Sequence, residues 1–288
     1  MEEMNNVRRR SQFQETWKRL RRNKLAIIGM IIVLLLILMA VFADVIAPYD
    51  YMDQDPTARL EFPSKEHLLG TDNYGRDLLT RIIYGGQISL LVAIMAVGIA
   101  LVIGGFLGAT AGYFGGWYEV VIMRLMDILM AIPGILMAVS ISAALGNGIF
   151  NTALAISVGG IPSYARIVRA TVMSIRGQEY VEAARALGCR NMRIIFRQIL
   201  PNTLSPIIVD TTLRLGMNIL QISSLSFIGL GVQPPMPEWG SIMANGRTYI
   251  RDFYPLVTFP GVAIMLTLFG FNLFGDGLRD ALDPKLKR

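Results

Sequence analysis

The chain has one histidine, one cysteine and little charge, and each shortage removes a class of function. With His67 alone, neither an H-E-x-x-H zinc site nor any other histidine-rich metal centre can be built. A lone histidine beside Leu68 and Leu69 reads as structural rather than as a ligand. With Cys189 alone, an intrachain disulfide is impossible. Serines are plentiful, but no base that could activate one for proteolysis is identifiable. No G-x-x-x-x-G-K-[ST] run occurs, so the chain lacks the usual cradle for ATP phosphates. Charged residues make up 17% of 288, against about 25% in ordinary soluble domains.

What is present is apolar, at 53% of residues, and it comes in long runs. Residues 25–43 hold no charge, a length of about 28 Å as a helix and close to a bilayer core. No Asp, Glu, Lys or Arg occurs from Ile82 to Tyr118, from Ile128 to Ala165, or from Phe253 to Gly275. A soluble core helix needs one apolar stripe, not an apolar circumference. The alternative for the first run is a cleaved signal peptide, but its length exceeds the roughly 7–15 apolar residues of such a region.

These runs predict an all-α, polytopic membrane protein with about six transmembrane helices, near 25–47, 87–111, 120–145, 149–170, 204–229 and 255–275. Gly146, Asn147 and Gly148 divide the 128–165 run into parts of two helices. The expected organisation is an N-terminal arm (1–24), a first span (25–47), an external segment (48–86), a permease core (87–275) and a tail (276–288).

The net charge of +6 and pI of 9.6 would suit nucleic acid, but most of that charge flanks the spans, where it reads as a topology signal. Membrane lipid, not nucleic acid, is the expected surrounding. The arm carries Arg8, Arg9, Arg10, Lys18, Arg19, Arg21, Arg22 and Lys24. The loop after the fourth span carries Arg176, Arg185, Arg190, Arg193 and Arg197, with Arg166 and Arg169 at its threshold. The tail adds Arg279, Lys285, Lys287 and Arg288. Six spans put all three regions on one side, so both termini are expected in the cytoplasm. The opposite segment, 48–86, has seven acidic against four basic residues.

Leu78, Leu79, Ile82 and Ile83 recur at helical spacing, which suggests a helix lying on the outer membrane surface. Pro234, Pro235 and Pro237 interrupt the chain after the fifth span, and Trp239 stands where an interfacial aromatic is expected. Gly104, Gly108, Gly112 and Gly116 fall four apart, a spacing that lets membrane helices approach closely. Packing within one subunit is the favoured reading over a seam between subunits. Arg124 and Asp127 are three apart and Asp210 and Arg214 four apart, so each pair can meet along one helix face. They are candidates to line or gate a pathway, with a neutralised structural pair as the alternative.

The loop 177–202 is the most informative stretch. Gly177 and Gly188 bracket good helix formers, with Glu179 and Glu182 toward the N-terminal half and Arg190, Arg193 and Arg197 beyond the C-terminal end. Ala183, Ala184 and Leu187 supply a smooth face, and Pro201 suits the first turn of the next span. A short helix held between two membrane helices is a rigid projection suited to docking into a cleft on another protein.

Glu182-Ala183-Ala184, three residues, Gly188, then a basic–apolar stretch ending Leu200-Pro201 resembles the EAA motif of ABC importer permeases. Gln198 stands where the broad pattern has Ile, as the peptide-importer branch tolerates. The blocks 67–72 (HLLGTD), 75–77 (GRD) and 88–90 (ISL), with 225–235 (LSFIGLGVQPP) and 275–284 (GDGLRDALDP), resemble the C-type permease of dipeptide/oligopeptide importers. The resemblance runs from about Asn23 to the C-terminus. It implies a type I ABC importer permease fold in which the EAA loop is a cytoplasmic coupling helix seated in an ATPase groove. Glu182, Ala183, Ala184, Leu187 and Gly188 would carry that coupling. Asp72, Arg76, Asp77 and Trp239 are candidates for docking a binding protein. The implied partners are a homologous permease as heterodimer, two ATPase subunits holding ATP and Mg²⁺, and an extracytoplasmic substrate-binding protein. No cofactor or metal is expected on this chain, and the resemblance implies a subunit rather than an enzyme, in a bacterial or archaeal inner or plasma membrane. The cargo classes implied are di- and oligopeptides, with glutathione, nickel and metal chelates as alternatives. A secondary transporter would instead need intramembrane carboxylates and two related halves with paired broken helices, and neither stands out.

Overall fold

The computed structural model describes residues 12–282, with side chains from Thr16 onward. Arg8, Arg9, Arg10, Lys285, Lys287, Arg288 and the closing 283–284 of the last sequence block lie outside the described residues. Within them the order is α1 (Gln12–Leu20), α2 (Lys24–Val41), α3 (Ala43–Ile46), α4 (Leu78–Phe114), α5 (Gly116–Ala131), α6 (Gly134–Leu145) and α7 (Ile149–Ile175). There follow α8 (Glu179–Ala186), α9 (Asn191–Ile194), a wide turn and a tight turn over 195–203, α10 (Leu204–Phe227), α11 (Trp239–Gly246) and α12 (Pro255–Leu282). The chain is all-α, and no strand pairing beyond a single bridge between Thr71 and Asp77 occurs among the described residues.

Among the described residues three helices are long and apolar enough to cross a membrane, α2, α4 and α12, or four if α5 and α6 form one bent span. The other two long helices, α7 and α10, carry Arg166 and Arg169 and Asp210 and Arg214 respectively, which dilute their apolarity. α2 opens on Asn23, whose Oδ1 accepts from the backbone N–H groups of Leu25 and Ala26 at 3.1 and 3.2 Å. Its large side chains Leu25, Ile28, Ile31, Leu34 and Leu35 are exposed, while its small ones face the protein. A Cβ on Gly29 would lie 2.8 Å from the Gly270 carbonyl oxygen, so α2 and α12 touch backbone to backbone.

Leu78, Ile82 and Ile83 do not form a separate surface helix as the periodicity suggested; they open α4 and are buried. A helical period reports one apolar face and does not say whether lipid or protein covers it. Here protein covers it, because Gly85 and Gly86 leave room for the Trp239 ring to pack on the helix. At 37 residues α4 is about 56 Å long and exceeds the roughly 30 Å hydrocarbon core. Gly104, Gly108 and Gly112 press on α7, where a Cβ would collide with backbone at Ile161, Ala165 and Arg169. The glycine face is thus a seam within the subunit. Gly116 is not part of it: Gly115, at φ +68°, ends the helix first.

The expected third span, 120–145, is broken. α5 and α6 meet at 88° across Ile132 and Pro133. Proline offers no backbone N–H and disfavours helical geometry in the residue before it, so the helix stops there. The Gly146–Gly148 turn forms as expected, with both glycines at positive φ and Asn151 Nδ2 donating to the Leu145 carbonyl at 2.9 Å.

Candidate functional site: a docking helix at one end and a buried cap at the other

The α8 end is built on an elbow between α7 and α10. Val181 and Ala184 turn inward against Val168, Val172, Ile194, Ile195 and Ile199. Tyr113, from the end of α4, donates its hydroxyl to Asn191 Oδ1 at 3.0 Å, and the Arg185 guanidinium lies 5.5 Å from its ring centre. Arg176 reaches back to the Gly112 carbonyl at 2.9 Å. The helix ends in a Schellman turn: Gly188, at φ +77°, donates to the Arg185 carbonyl at 3.0 Å and Cys189 to that of Ala184 at 3.1 Å. Glu182, Ala183, Leu187 and Gly188 are exposed, and Leu187 is 84% exposed. Ala184 departs from the expected smooth face. It lies about 100° around the helix from Ala183, which puts it inside as an anchor. Tyr113 and its contact with Arg185 were not legible in the sequence, because nothing local links residues so far apart.

The charged pairs also rearrange. Arg124 Nη1 lies 3.9 Å from Asp127, whereas Arg166 on α7 donates to Asp127 Oδ1 at 2.6 Å. The stronger pair ties α5 to α7 rather than running along α5. A second tie joins Arg169 Nε to Glu119 Oε1 at 2.6 Å, and it was not expected at all. The two ties brace α5 against α7 at both of its ends, Glu119 in its first turn and Asp127 close to the 88° break. Asp210 and Arg214 meet as the i, i+4 spacing predicts, at 2.5 Å. Arg214 also lies over the Tyr164 ring, and Tyr164 donates to Thr211 Oγ1 at 3.1 Å.

At the opposite end, Asp72, Arg76, Asp77 and Trp239 are all buried, so their side chains cannot form a docking surface. Arg76 Nε donates to Asp72 Oδ2 at 2.7 Å, and Arg81 Nε lies 3.5 Å from the same carboxylate. Asp77 caps α4 by accepting from the Thr80 N–H at 2.7 Å and bonds His67 Nδ1 at 3.0 Å. His67 is structural, as its isolation suggested. Arg81 also donates to the Tyr51 carbonyl at 3.1 Å, and Trp239 Nε1 donates to the Ile82 carbonyl at 2.9 Å. Glu238, buried and unanticipated, accepts from Ser89 Oγ at 3.3 Å, Ser223 Oγ at 3.1 Å and the Ser241 N–H at 3.0 Å. The motif charges thus fold the outer segment onto α4 and α11. Its exposed side chains are others, among them Tyr49, Met52, Phe62, Leu68 and Tyr74.

An apolar helical bundle, a rigid outward-facing elbow at one end and a folded cap at the other describe a membrane permease subunit rather than a catalyst. A family model described as binding-protein-dependent transport system inner membrane component matches residues 104–288, and one described as the N-terminal TM domain of oligopeptide transport permease C matches residues 11–63. The chain belongs to this family of binding-protein-dependent permeases. It is 48% identical over 277 residues to the dipeptide transport system permease protein DppC of Alkalihalophilus pseudofirmus, covering 96% of this chain and 91% of that one. It is 45% identical over 282 residues to the glutathione transport system permease protein GsiD of Pectobacterium atrosepticum, covering 96% and 93%. In fold it is similar to an inward-facing crystal structure of the MetNI methionine ABC transporter, with a TM-score of 0.58 and 20% identity over 72% of this chain and 98% of that one. The chain is therefore an inner-membrane permease subunit of a type I ABC importer, and ATP hydrolysis and substrate capture belong to separate proteins.

Proposed function

We propose that this subunit imports di- and oligopeptides as half of a heterodimer with a homologous permease. An extracytoplasmic binding protein delivers the cargo, and two ATPase subunits, which hold ATP and Mg²⁺, drive the cycle. Both termini and α8 face the cytosol; the basic residues that flank α1, α8 and the end of α12 support this orientation. The observation that carries the reading is α8 itself. Val181 and Ala184 lock it to the bundle while Ala183 and Leu187, four apart, stay exposed on its outer face. Burying a leucine side chain in an ATPase groove contributes about 1.5–3 kcal/mol, enough to matter for assembly. Closure of the ATPase pair then pushes on a helix continuous, through its elbow, with α7 and α10. The second permease covers the largely exposed α5 and α6, of which only five residues are buried. Asp127, Arg166 and Arg124 border that surface, and Asp210 with Arg214 lies deeper along α10. The external segment 48–77 presents its exposed aromatic and acidic residues to the binding protein.

The relatives' names favour peptides, with glutathione, itself a small peptide, as the second reading. The test is a reconstituted complex of both permeases, both ATPases and the binding protein. Labelled dipeptide, longer peptide, glutathione and nickel are offered in turn, and uptake and stimulated ATP hydrolysis are measured. Uptake of peptide is expected, with Leu187→Asp abolishing both signals while the permease stays in the membrane. Stimulation by nickel alone, or coupling that survives Leu187→Asp, would overturn the reading.

A further inference from the structure

Between α1, α7, α10 and α12, at the α8 end, lies a cavity of about 790 Å³ that opens to the surface. Two guanidinium groups border it from different elements, Arg19 of α1 and Arg279 of α12. Neither has a carboxylate within ion-pair distance among the described residues. Among the described residues the one acid in the wall, Asp210, is already held by Arg214 at 2.5 Å, so the uncompensated charge of the described wall is positive. Deeper in, Ile167, Val209 and Leu213 supply apolar wall, and the exposed Ser205 hydroxyl stands at the rim. The hydroxyls of Thr171 and Ser174 donate to carbonyls of their own helix, which leaves the arginines as the principal donors. On the neighbouring turn of α1, Trp17 is exposed with the Arg21 guanidinium 5.4 Å from its ring centre, the amphipathic pairing of a headgroup-level anchor. α1 itself is fastened by Leu20, which packs with Ala26 and Ala281.

We propose that this cavity is a binding site for the phosphate headgroup of an anionic phospholipid from the cytoplasmic leaflet. Arg19 and Arg279 grip the phosphate bidentately, and the acyl glycerol end lies along Ile167, Val209 and Leu213. The placement follows a general rule, that basic pockets between spanning helices on the cytoplasmic side take anionic headgroups. A phosphate held there joins α1 and α12 to the roots of α7 and α10, the two helices between which α8 is suspended. The site therefore fastens the base of the docking elbow. It rests on the orientation proposed above and is independent of the cargo.

The test uses the complete transporter in lipid nanodiscs, with phosphatidylglycerol titrated into phosphatidylcholine and retained lipid counted by native mass spectrometry. The double variant R19Q/R279Q is expected to weaken phosphatidylglycerol retention about 30-fold, from roughly 1 kcal/mol per arginine. K18Q/R22Q removes the same charge from exposed positions outside the cavity and is expected to leave retention unchanged. Equal losses in both pairs would mean general surface attraction and overturn the site. Displacement of the lipid by soluble glycerol phosphate would assign the cavity to a free anion and overturn the lipid. If R19Q/R279Q fails to assemble, the wild-type titration decides: retention that does not distinguish phosphatidylglycerol from phosphatidylcholine sinks the proposal. An epitope tag at the N-terminus reports the orientation separately, so failure of the topology and failure of the site are distinguishable.

Discussion

Replacing Gly188 isolates one physical quantity, the backbone conformation that ends α8. Its φ is +77°, and nothing lies within 4 Å of the place a Cβ would take. An alanine there meets no clash and loses only left-handed backbone energy, about 1–2 kcal/mol. Asparagine visits that region routinely and should recover most of the loss, whereas β-branched valine should lose more. One to two kcal/mol changes a population by a factor of about 5–30. The population concerned is the turn closed by Gly188 to the Arg185 carbonyl and Cys189 to the Ala184 carbonyl, which aims Leu187 outward. In the reconstituted complex, substrate-stimulated ATP hydrolysis should fall in the order wild type, Asn, Ala, Val, with membrane insertion equal throughout. Basal hydrolysis by the ATPases should survive, since they carry the chemistry. If Gly188→Ala and Gly188→Val match wild type, or if asparagine is no better than alanine, the turn does not govern coupling.

Gly108→Leu should drive a side chain into the α7 backbone at Ala165 and lower the unfolding temperature, by a cost of at least about 1–3 kcal/mol, while Gly134→Leu, with open space around it, should not. Asp72→Asn leaves Arg76 and Arg81 buried without their carboxylate and should cost about 3–5 kcal/mol, read as detergent-solubilised melting temperature. Asp127→Asn removes a far more exposed pair and should cost under about 1 kcal/mol in the same assay. Trp239→Phe loses the bond to the Ile82 carbonyl and should destabilise by about 1–3 kcal/mol without changing affinity for the binding protein; a large loss of affinity at unchanged stability would return Trp239 to the docking surface.

The helices were legible wherever one residue type dominated a long run. The α2 span, the Gly146–Gly148 turn and the Asp210–Arg214 pair depend on neighbours within a few positions, and those neighbours are printed next to one another in the chain. The glycine face was legible as a close-packing surface, because only small residues let helix backbones touch. Pro133 was visible too, yet one proline inside an apolar run is tolerated in membrane helices. Its 88° consequence emerged only in three dimensions.

The docking candidates at the outer end failed for a different reason. Asp72, Arg76, Asp77 and Trp239 were singled out as polar or amphipathic residues in an external segment, where exposure is the usual expectation. In the fold Arg76 and Arg81 neutralise Asp72, His67 and the Thr80 N–H hold Asp77, and Trp239 bonds the Ile82 carbonyl. Those partners lie close in sequence for Arg81 but 157 residues away for Trp239. Glu238 is hidden in the same way, since Ser89 and Ser223 reach it from two other helices.

By itself the sequence determined that the chain lives in a membrane, that it cannot hold a disulfide or grip ATP in the usual way, and that its 177–202 loop is a short helix with a glycine stop. These follow from composition and from interactions within one or two helical turns. Only the tertiary structure decided which face of that helix looks outward, with Ala184 inside and Leu187 out. It alone decided that Asp127 belongs to Arg166, and that the motif charges of the outer segment are interior braces. The reason is range: hydropathy and capping act between neighbours, whereas burial and ion pairing depend on where helices far apart in the chain come to rest.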